Sequence, residues 1–303
     1  MTSLINPEEF TNVTHKLRDF FDDLGFVEVH TQNRLSILAA CEDPNTVATF
    51  EYSNQTWPLP QTGQMWLEYE LLKNPKLKGV YCVSTSYRQE KNPILGRHEL
   101  IFPMFEFEAP GDFNDLIMLE KKLCSYLGFW VYKNFDFSIG KYMDLVKRFR
   151  SDDNIINNSH ENILCRENNG VFFITHFPHY TSPFWNMKNQ SLLITLPING
   201  KPQNDNLALK CDVLLGGMET IGSAERSSDA GEMREKFYTV SDGKYSNLLF
   251  EKFGKDRVIK ELDEFLEHDF FPRYGGGIGI TRLMSALKGI KRKKSSKPLS
   301  FFK

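Results

Sequence analysis

Little in this 303-residue sequence advertises a membrane, a compartment or a polyanion through bulk composition. Cysteine is sparse and scattered: Cys41, Cys82, Cys124, Cys165 and Cys211 form no CxxC pair. An odd count without a secretory leader argues against a disulfide framework and for reduced thiols in the cytoplasm. No apolar run approaches the ~20 residues that a membrane-spanning helix needs. The opening MTSLINPEEF lacks a basic n-region and an apolar h-region, so it does not read as a signal peptide. Charge of one sign is also lacking, since 37 Lys and Arg against 39 Asp and Glu leave a net charge of -2. No global field therefore points to nucleic acid or a membrane surface. Internal repeats, linkers and composition breaks are absent too, so a single domain spanning residues 1–303 is expected.

What is present alternates between the periods of helix and strand. Phe10, Val13, Leu17, Phe20, Phe21 and Leu24 predict an amphipathic helix over 7–24, which Gly25 stops. FVEVHT follows as a short strand, and residues 32–58 look irregular. TGQMWLEYELLK has helical spacing, GVYCVSTSYR and ELIFPMFEFE read as a long antiparallel hairpin, and residues 112–135 read as a helix capped by Asp112 or Asn114. The polar stretch 150–170 reads as an insertion or exposed loop. Strands are expected at VFFITHF, SLLITLPI, ALKCDVLLGG and METIGSAE, a helix at 255–268, and a glycine-rich strand entering a helix at YGGGIGITRLMSALKG. Residues 290–303 form a basic tail. The fold class is α+β, an antiparallel sheet flanked by helices.

The chemistry concentrates in a charged loop, YRQEKNPILGRHE, between the two strands of the long hairpin. Arg88 presents a planar fork suited to phosphate, Arg97 and His98 can do the same from the returning strand, and Phe102 can set a ring beside a base. Alone, such a loop would simply face water. In GGGIGITR, alternating glycines let a ligand lie against bare backbone while Arg282 faces its phosphate. Asp212 and Glu219, on neighbouring strand-like runs, are oxygen ligands suited to Mg²⁺.

These segments resemble the class II aminoacyl-tRNA synthetases. YRQE…GRHE…FPMFEFE looks like their motif 2, GGGIGITR like motif 3, and THKLRDFFDDLGFVEVHT like the motif 1 of their dimer interface. TGQMWLE and the run from Asp212 to Arg226 are most similar to the aspartyl and asparaginyl branch. The matches fall in family order over about residues 10–290. The resemblance implies ATP and Mg²⁺ as cofactors, a homodimer, and specific roles. Arg88 would hold the α-phosphate and the substrate carboxylate. Arg97 and His98 would meet the β- and γ-phosphates, and Arg282 the γ-phosphate and one face of adenine. Phe102 would stack on the other face, Glu90 would contact its amino edge, and Gly277 and Gly279 would line the nucleotide. Asp212 and Glu219 would hold Mg²⁺, Gln64 would grip the substrate ammonium, and Arg226 would reach its side chain.

The chain departs from the family in three places. Motif 1 begins by about residue 10, leaving no room for the barrel that reads the anticodon. Ile101 stands where the family has Glu, and Gln32 where motif 1 has proline. The expected activity is therefore adenylation of aspartate or asparagine with transfer to a non-tRNA acceptor, ammonia or a small amine. Charging of tRNA without an anticodon domain, and an inactive synthetase-like regulator, are the alternatives. Leu67-Glu68 matches the asparaginyl pattern. Arg226 with Glu68 suits either a side-chain amide or a reversed α-head group, as in the asparagine synthetases descended from this branch. His176 and His179 lack the partners of a zinc set, Cys82 and Cys211 read as core, and packing explains Trp57, Trp66 and Trp185.

Overall fold

The computed structural model describes residues 5–31, 35–40, 44–94, 97–129, 137–151, 153–190, 194–198 and 201–295. Gln32, the last residues of the helix expected to reach 135, and residues 296–303 of the basic tail lie outside them. The strands are β1 (Val27–Glu28), β2 (Thr49–Tyr52), β3 (Gln55–Pro58), β4 (Val80–Tyr87), β5 (Ile101–Pro110), β6 (Ile139–Lys141), β7 (Val171–Pro178), β8 (Ile194–Ile198), β9 (Lys201–Asp205), β10 (Leu207–Leu215), β11 (Met218–Arg226) and β12 (Arg273–Gly279). The α-helices are α1 (Pro7–Asp23), α2 (Gln64–Lys73), α3 (Phe113–Tyr126), α4 (Tyr142–Phe149), α5 (Asn158–Glu167), α6 (Ala230–Thr239), α7 (Lys244–Phe253), α8 (Lys255–Leu266) and α9 (Ile280–Ser295).

One eight-stranded sheet, in the order β1-β4-β5-β12-β11-β10-β7-β6, organises the molecule. Its six inner strands are antiparallel neighbours, as expected for the α+β class. Its two edge pairs, β1 with β4 and β6 with β7, are parallel, so the sheet is mixed rather than purely antiparallel. Three other expectations are corrected. Residues 49–58 form the β2–β3 hairpin instead of irregular chain. Within the polar stretch 150–170, Asn157 caps the helix α5, accepting from Ser159 N and His160 N, and Leu164 and Cys165 are buried beneath it. Residues 290–295 of the expected tail continue α9.

The sheet has two unlike faces, and strict alternation along each inner strand creates them. Phe105 and Phe107 of β5, Cys211 and Val213 of β10, Ile221 of β11 and Tyr274 and Ile278 of β12 join one apolar core with α1, α3 and α9. The intervening residues, Glu106, Glu108, Asp212, Gly222, Arg226, Gly275 and Gly277, belong to the other face. α1 anchors the apolar side. Asn6 caps it by accepting from Glu9 N, Pro7 opens it, and Gly25 ends it at φ +80°. Its Phe21 is fully buried, with ring centroids 5.1 to 5.9 Å from Phe26, Tyr81, Phe105 and Phe107. A second cluster, built by α2, α6, α7 and α8 around Trp185, closes the far end of the polar face.

Truncating that ring tests the arrangement. Phe21→Ala should lower unfolding stability by about 3–5 kcal/mol in urea titration, because four neighbouring rings lose contacts that the sheet cannot restore by collapse. A loss under ~1 kcal/mol would mean that α1 does not seal the core.

Candidate active site

Register places a floor of bare backbone at the middle of the polar face. Glu106 pairs with Gly277, Gly277 with Gly222, and Gly222 with Asp212, so two glycines lie side by side between two acids. Glu106 is buried and fixed, accepting from Thr62 Oγ1, Ser84 Oγ and Gly63 N. One row along, Glu108 leans over Gly275. A Cβ at residue 275 would sit 1.7 Å from Glu108 Oε2, so only glycine lets this carboxylate pass.

Glu108 reaches Arg226. The Arg226 guanidinium donates from Nε and Nη2 to Glu108 Oε1 (3.1 Å) and Oε2 (3.2 Å), and from Nη2 to Gln64 Oε1 (2.7 Å). Beside it Glu68, fully buried in α2, accepts from Arg273 Nε (3.1 Å) and Nη2 at Oε2 and from Asn186 Nδ2 at Oε1. Four charges that are at most 2% exposed thus interlock two by two. Burial pushes Glu108 upward from the ordinary carboxylate range, and the Arg226 contact opposes it.

This cluster ends a cavity of about 680 Å³ whose walls include Gln64, Glu68, Asn186, Lys210, Glu219, Gly222, Ser223 and Arg226. Of the residues singled out from sequence, Gln64, Glu68, Arg226 and Glu219 line it. At its other end, Glu219 and Asp212 converge over Gly222. A Cβ at residue 222 would lie 2.9 Å from Glu219 Oε1 and 3.8 Å from Asp212 Oδ1. Lys210 Nζ lies 2.9 Å from both oxygens of the buried Asp212 carboxylate. Burial and the neighbouring Glu219 raise Asp212. Two converging acids fit a hard divalent cation such as Mg²⁺, with Lys210 already marking the preference for positive charge.

The remaining expected residues form an arm beyond the cavity. Arg282, in the first turn of α9, donates to Glu219 O (2.7 Å) and, from its other nitrogen, to Arg97 O (3.4 Å). Arg97 pairs with Glu161 of α5. His98 Nδ1 lies 2.6 Å from Glu90 Oε2, so the residues assigned to opposite ends of the nucleotide meet one another. The Arg88 guanidinium stands 5.5 Å from the Phe102 ring centre. β5 carries Phe102 two residues beyond the Met104–Gly279 pair, where β12 gives way to α9. The structure therefore gathers Arg97, Arg282 and the Asp212–Glu219 pair. Arg88 and Phe102 form a separate pair at the adjoining strand ends.

Sequence reading missed Glu106, Glu108, Glu161, Asn186, Lys210 and Arg273. Their partners lie up to 205 residues away, and no local spacing announces them. The buried Trp185 is held by Phe184, Phe237 and Phe265, while Cys82 and Cys211 are buried in strands. His179 Nε2 lies 2.7 Å from Asn189 Oδ1, and His176 Nδ1 2.9 Å from Thr175 Oγ1. Among the described residues no group of three or more His, Cys, Asp or Glu could hold a metal, and no helix is long and apolar enough to cross a membrane.

Residues 8–294 match the family model described as tRNA synthetases class II (D, K and N). The chain belongs to that family. It is 25% identical over 311 residues to an asparagine–tRNA ligase of Pelotomaculum thermopropionicum, aligning 93% of this chain with 65% of that protein. A 114-residue stretch is 33% identical to the cytoplasmic asparagine–tRNA ligase of Mus musculus, covering 37% of this chain and 19% of that one. The fold resembles asparaginyl-tRNA synthetase from Pyrococcus horikoshii, solved with asparaginyl-adenylate, at a TM-score of 0.70 and 21% identity, over 92% of this chain and 64% of that one. The chain thus spans just under two thirds of the asparagine–tRNA ligase from Pelotomaculum.

Behind the floor, Glu120 of α3 is fully buried. Ser223 Oγ donates to its Oε1 at 2.6 Å, and the Cys211 thiol also hydrogen-bonds the carboxyl. Burial raises it from 4.5 to about 8, so the native state keeps a proton that the unfolded chain releases. The stability this confers is complete below pH 4.5 and is lost as pH climbs through about 8. Glu120→Gln should accordingly flatten the fall in stability between about pH 5 and pH 8 in urea titrations. Parallel profiles for variant and wild type would show Glu120 ionised in the native protein.

Proposed function

We propose that the chain activates aspartate or asparagine with ATP to form an aminoacyl adenylate. One juxtaposition carries this reading: a glycine floor whose one end is a fixed guanidinium, Arg226, and whose other end is an acid pair abutting Arg282 and Arg97. A small amino acid lies along such a floor with its side chain toward Arg226, and a triphosphate extends toward Arg97, His98 and Arg282. A substrate carboxylate oxygen then attacks the α-phosphorus in line. The new C–O–P bond forms as the bond to the bridging oxygen of pyrophosphate breaks, and no acid or base is required. Arg88 neutralises charge at the α-phosphate, and Arg97, His98 and Arg282 hold the leaving pyrophosphate. Phe102 offers a ring to one face of adenine and Arg282 a cation to the other, with Glu90 at its amino edge. Mg²⁺ held by Asp212 and Glu219 would neutralise phosphate charge when bound.

The acceptor we assign is ammonia or another small amine. A net charge of -2 supplies no basic field for RNA, and the cavity at the floor admits a small nucleophile. Transfer to tRNA is the second reading, favoured by relatives that are themselves asparagine–tRNA ligases. We assign the protein to the cytoplasm and its α1–β1 segment, where Val27 is exposed, to a homodimer contact.

Amino-acid-dependent pyrophosphate exchange tests the central claim, and Arg88→Ala should slow it by at least ~10²-fold, the loss expected for one transition-state donor. An unchanged rate would remove Arg88 from the site. Silence with all twenty amino acids would mark an inactive binding subunit. With exchange established, labelled amino acid is offered to ammonia and to total tRNA. Free amide product supports the first acceptor, and stable aminoacyl-tRNA overturns it.

A further inference from the structure

The cavity wall contains an acceptor that none of the described residues uses. Asn186 is 1% exposed and lines the cavity beside Glu68 and Arg226. Its amide orientation is fixed by chemistry, because Glu68 Oε1, a carboxylate oxygen held among guanidiniums, can only accept; the nitrogen of Asn186 must therefore face it. That leaves Oδ1, which is buried and has no hydrogen-bond partner. An orphaned carbonyl oxygen in such a place costs about 1–3 kcal/mol, a penalty that a bound donor removes.

Glu68, the acceptor expected from sequence, is already engaged at both oxygens, by Arg273 and by Asn186. Charge at this end of the cavity is likewise balanced. Arg226 stands against Glu108 and Arg273 against Glu68, each within hydrogen-bond distance. A lone substrate carboxylate pushed in here would add an anion without a counter-charge, and an ammonium would add a cation likewise. An uncharged group with a carbonyl and an N–H fits both conditions.

We propose that Asn186 is the specificity-determining residue of the substrate pocket, its Oδ1 accepting from the NH₂ of a carboxamide whose oxygen takes a hydrogen bond from Arg226. The pocket then selects asparagine, side chain first, over aspartate in either orientation. This rests on the reading of the site as an amino-acid-activating centre, and it chooses between the substrates that reading leaves open. Glu68 becomes a positioning residue: it aims the Asn186 amide so that the oxygen, not the nitrogen, faces the ligand. Arg273 in turn holds Glu68.

Calorimetric titration in the presence of a non-hydrolysable ATP analogue reads this without requiring turnover, so a failure of pyrophosphate exchange is scored separately. The ligands are asparagine, aspartate and aspartate β-methyl ester, which keeps the carbonyl but lacks the N–H. Wild type should bind asparagine at least ~10-fold tighter than either of the others, the scale on which a lost hydrogen bond to a buried group registers. In Asn186→Ala, asparagine should weaken to about the affinity of the ester while the ester stays within about twofold, a contrast that a merely structural role for Asn186 would not produce. If the variant does not fold, the wild-type ratio of asparagine to ester decides alone. Equal wild-type affinities for amide and ester, a preference for aspartate, no asparagine binding, or an equal drop for both ligands in the variant would each overturn the proposal.

Discussion

The polar face depends on one carboxylate crossing one bare α-carbon. Glu108 reaches Arg226 only because residue 275 has no Cβ to stop it. A buried ion pair of this kind is a weak source of stability, since well-packed apolar residues of equal volume often serve as well or better. Removing one partner is another matter: an uncompensated buried charge costs about 3–5 kcal/mol. The pairs Glu108–Arg226 and Glu68–Arg273 are therefore better understood as orienting devices. Each carboxylate fixes the plane of a guanidinium, and a guanidinium with a fixed plane can tell one planar ligand from another.

The same logic separates the two faces of the sheet. On the helix side, Phe21, Tyr81, Phe105 and Phe107 pack ring on ring and set the register of β4 and β5. On the site side, β12 carries glycine at 275, 277 and 279, residues that weaken an isolated strand. β12 tolerates them because it is central, bonded to β5 on one side and β11 on the other. Rigidity comes from the face that does no chemistry, which leaves the opposite face free to present bare backbone.

Much of this was legible in the sequence because it was local. The period-two alternation of β5 and β10, the amphipathic spacing of α1 and the glycine alternation entering α9 all follow from neighbours a few residues apart. The polar stretch 150–170 misled because α5 buries little more than Leu164 and Cys165, so its apolar stripe is almost invisible, and its capping box of Asn157 and His160 is the only strong helix signal there. The Arg226–Glu108, Arg273–Glu68 and Asn186–Glu68 contacts join residues 118 to 205 apart, and only the assembled sheet brings them together. Glu68 shows the difference most clearly. Its type and position were readable, but its engagement by Arg273 depends on β12 running beside β11.

The arm beyond the cavity shows how cations can wait for an anion without being exposed to one another. Arg97 rests on Glu161, His98 on Glu90, and Arg282 on the Glu219 carbonyl. Three cationic or titratable groups left unpaired in so small a space would repel each other and draw in water. On the proposed reading these groups, held against the protein's own acceptors, meet an incoming phosphate by exchange, one charge-assisted bond replaced by another. Arg97 and Glu161 are 15% and 13% exposed, so water reaches both partners of this pair. On the proposed reading, Arg97 should leave Glu161 for phosphate more readily than Arg226 leaves Glu108, a pair at most 2% exposed in which Gly275 lets the carboxylate lie across the strand. On that reading the arm is the part that rearranges when nucleotide binds, and the pocket around Arg226 the part that stays fixed.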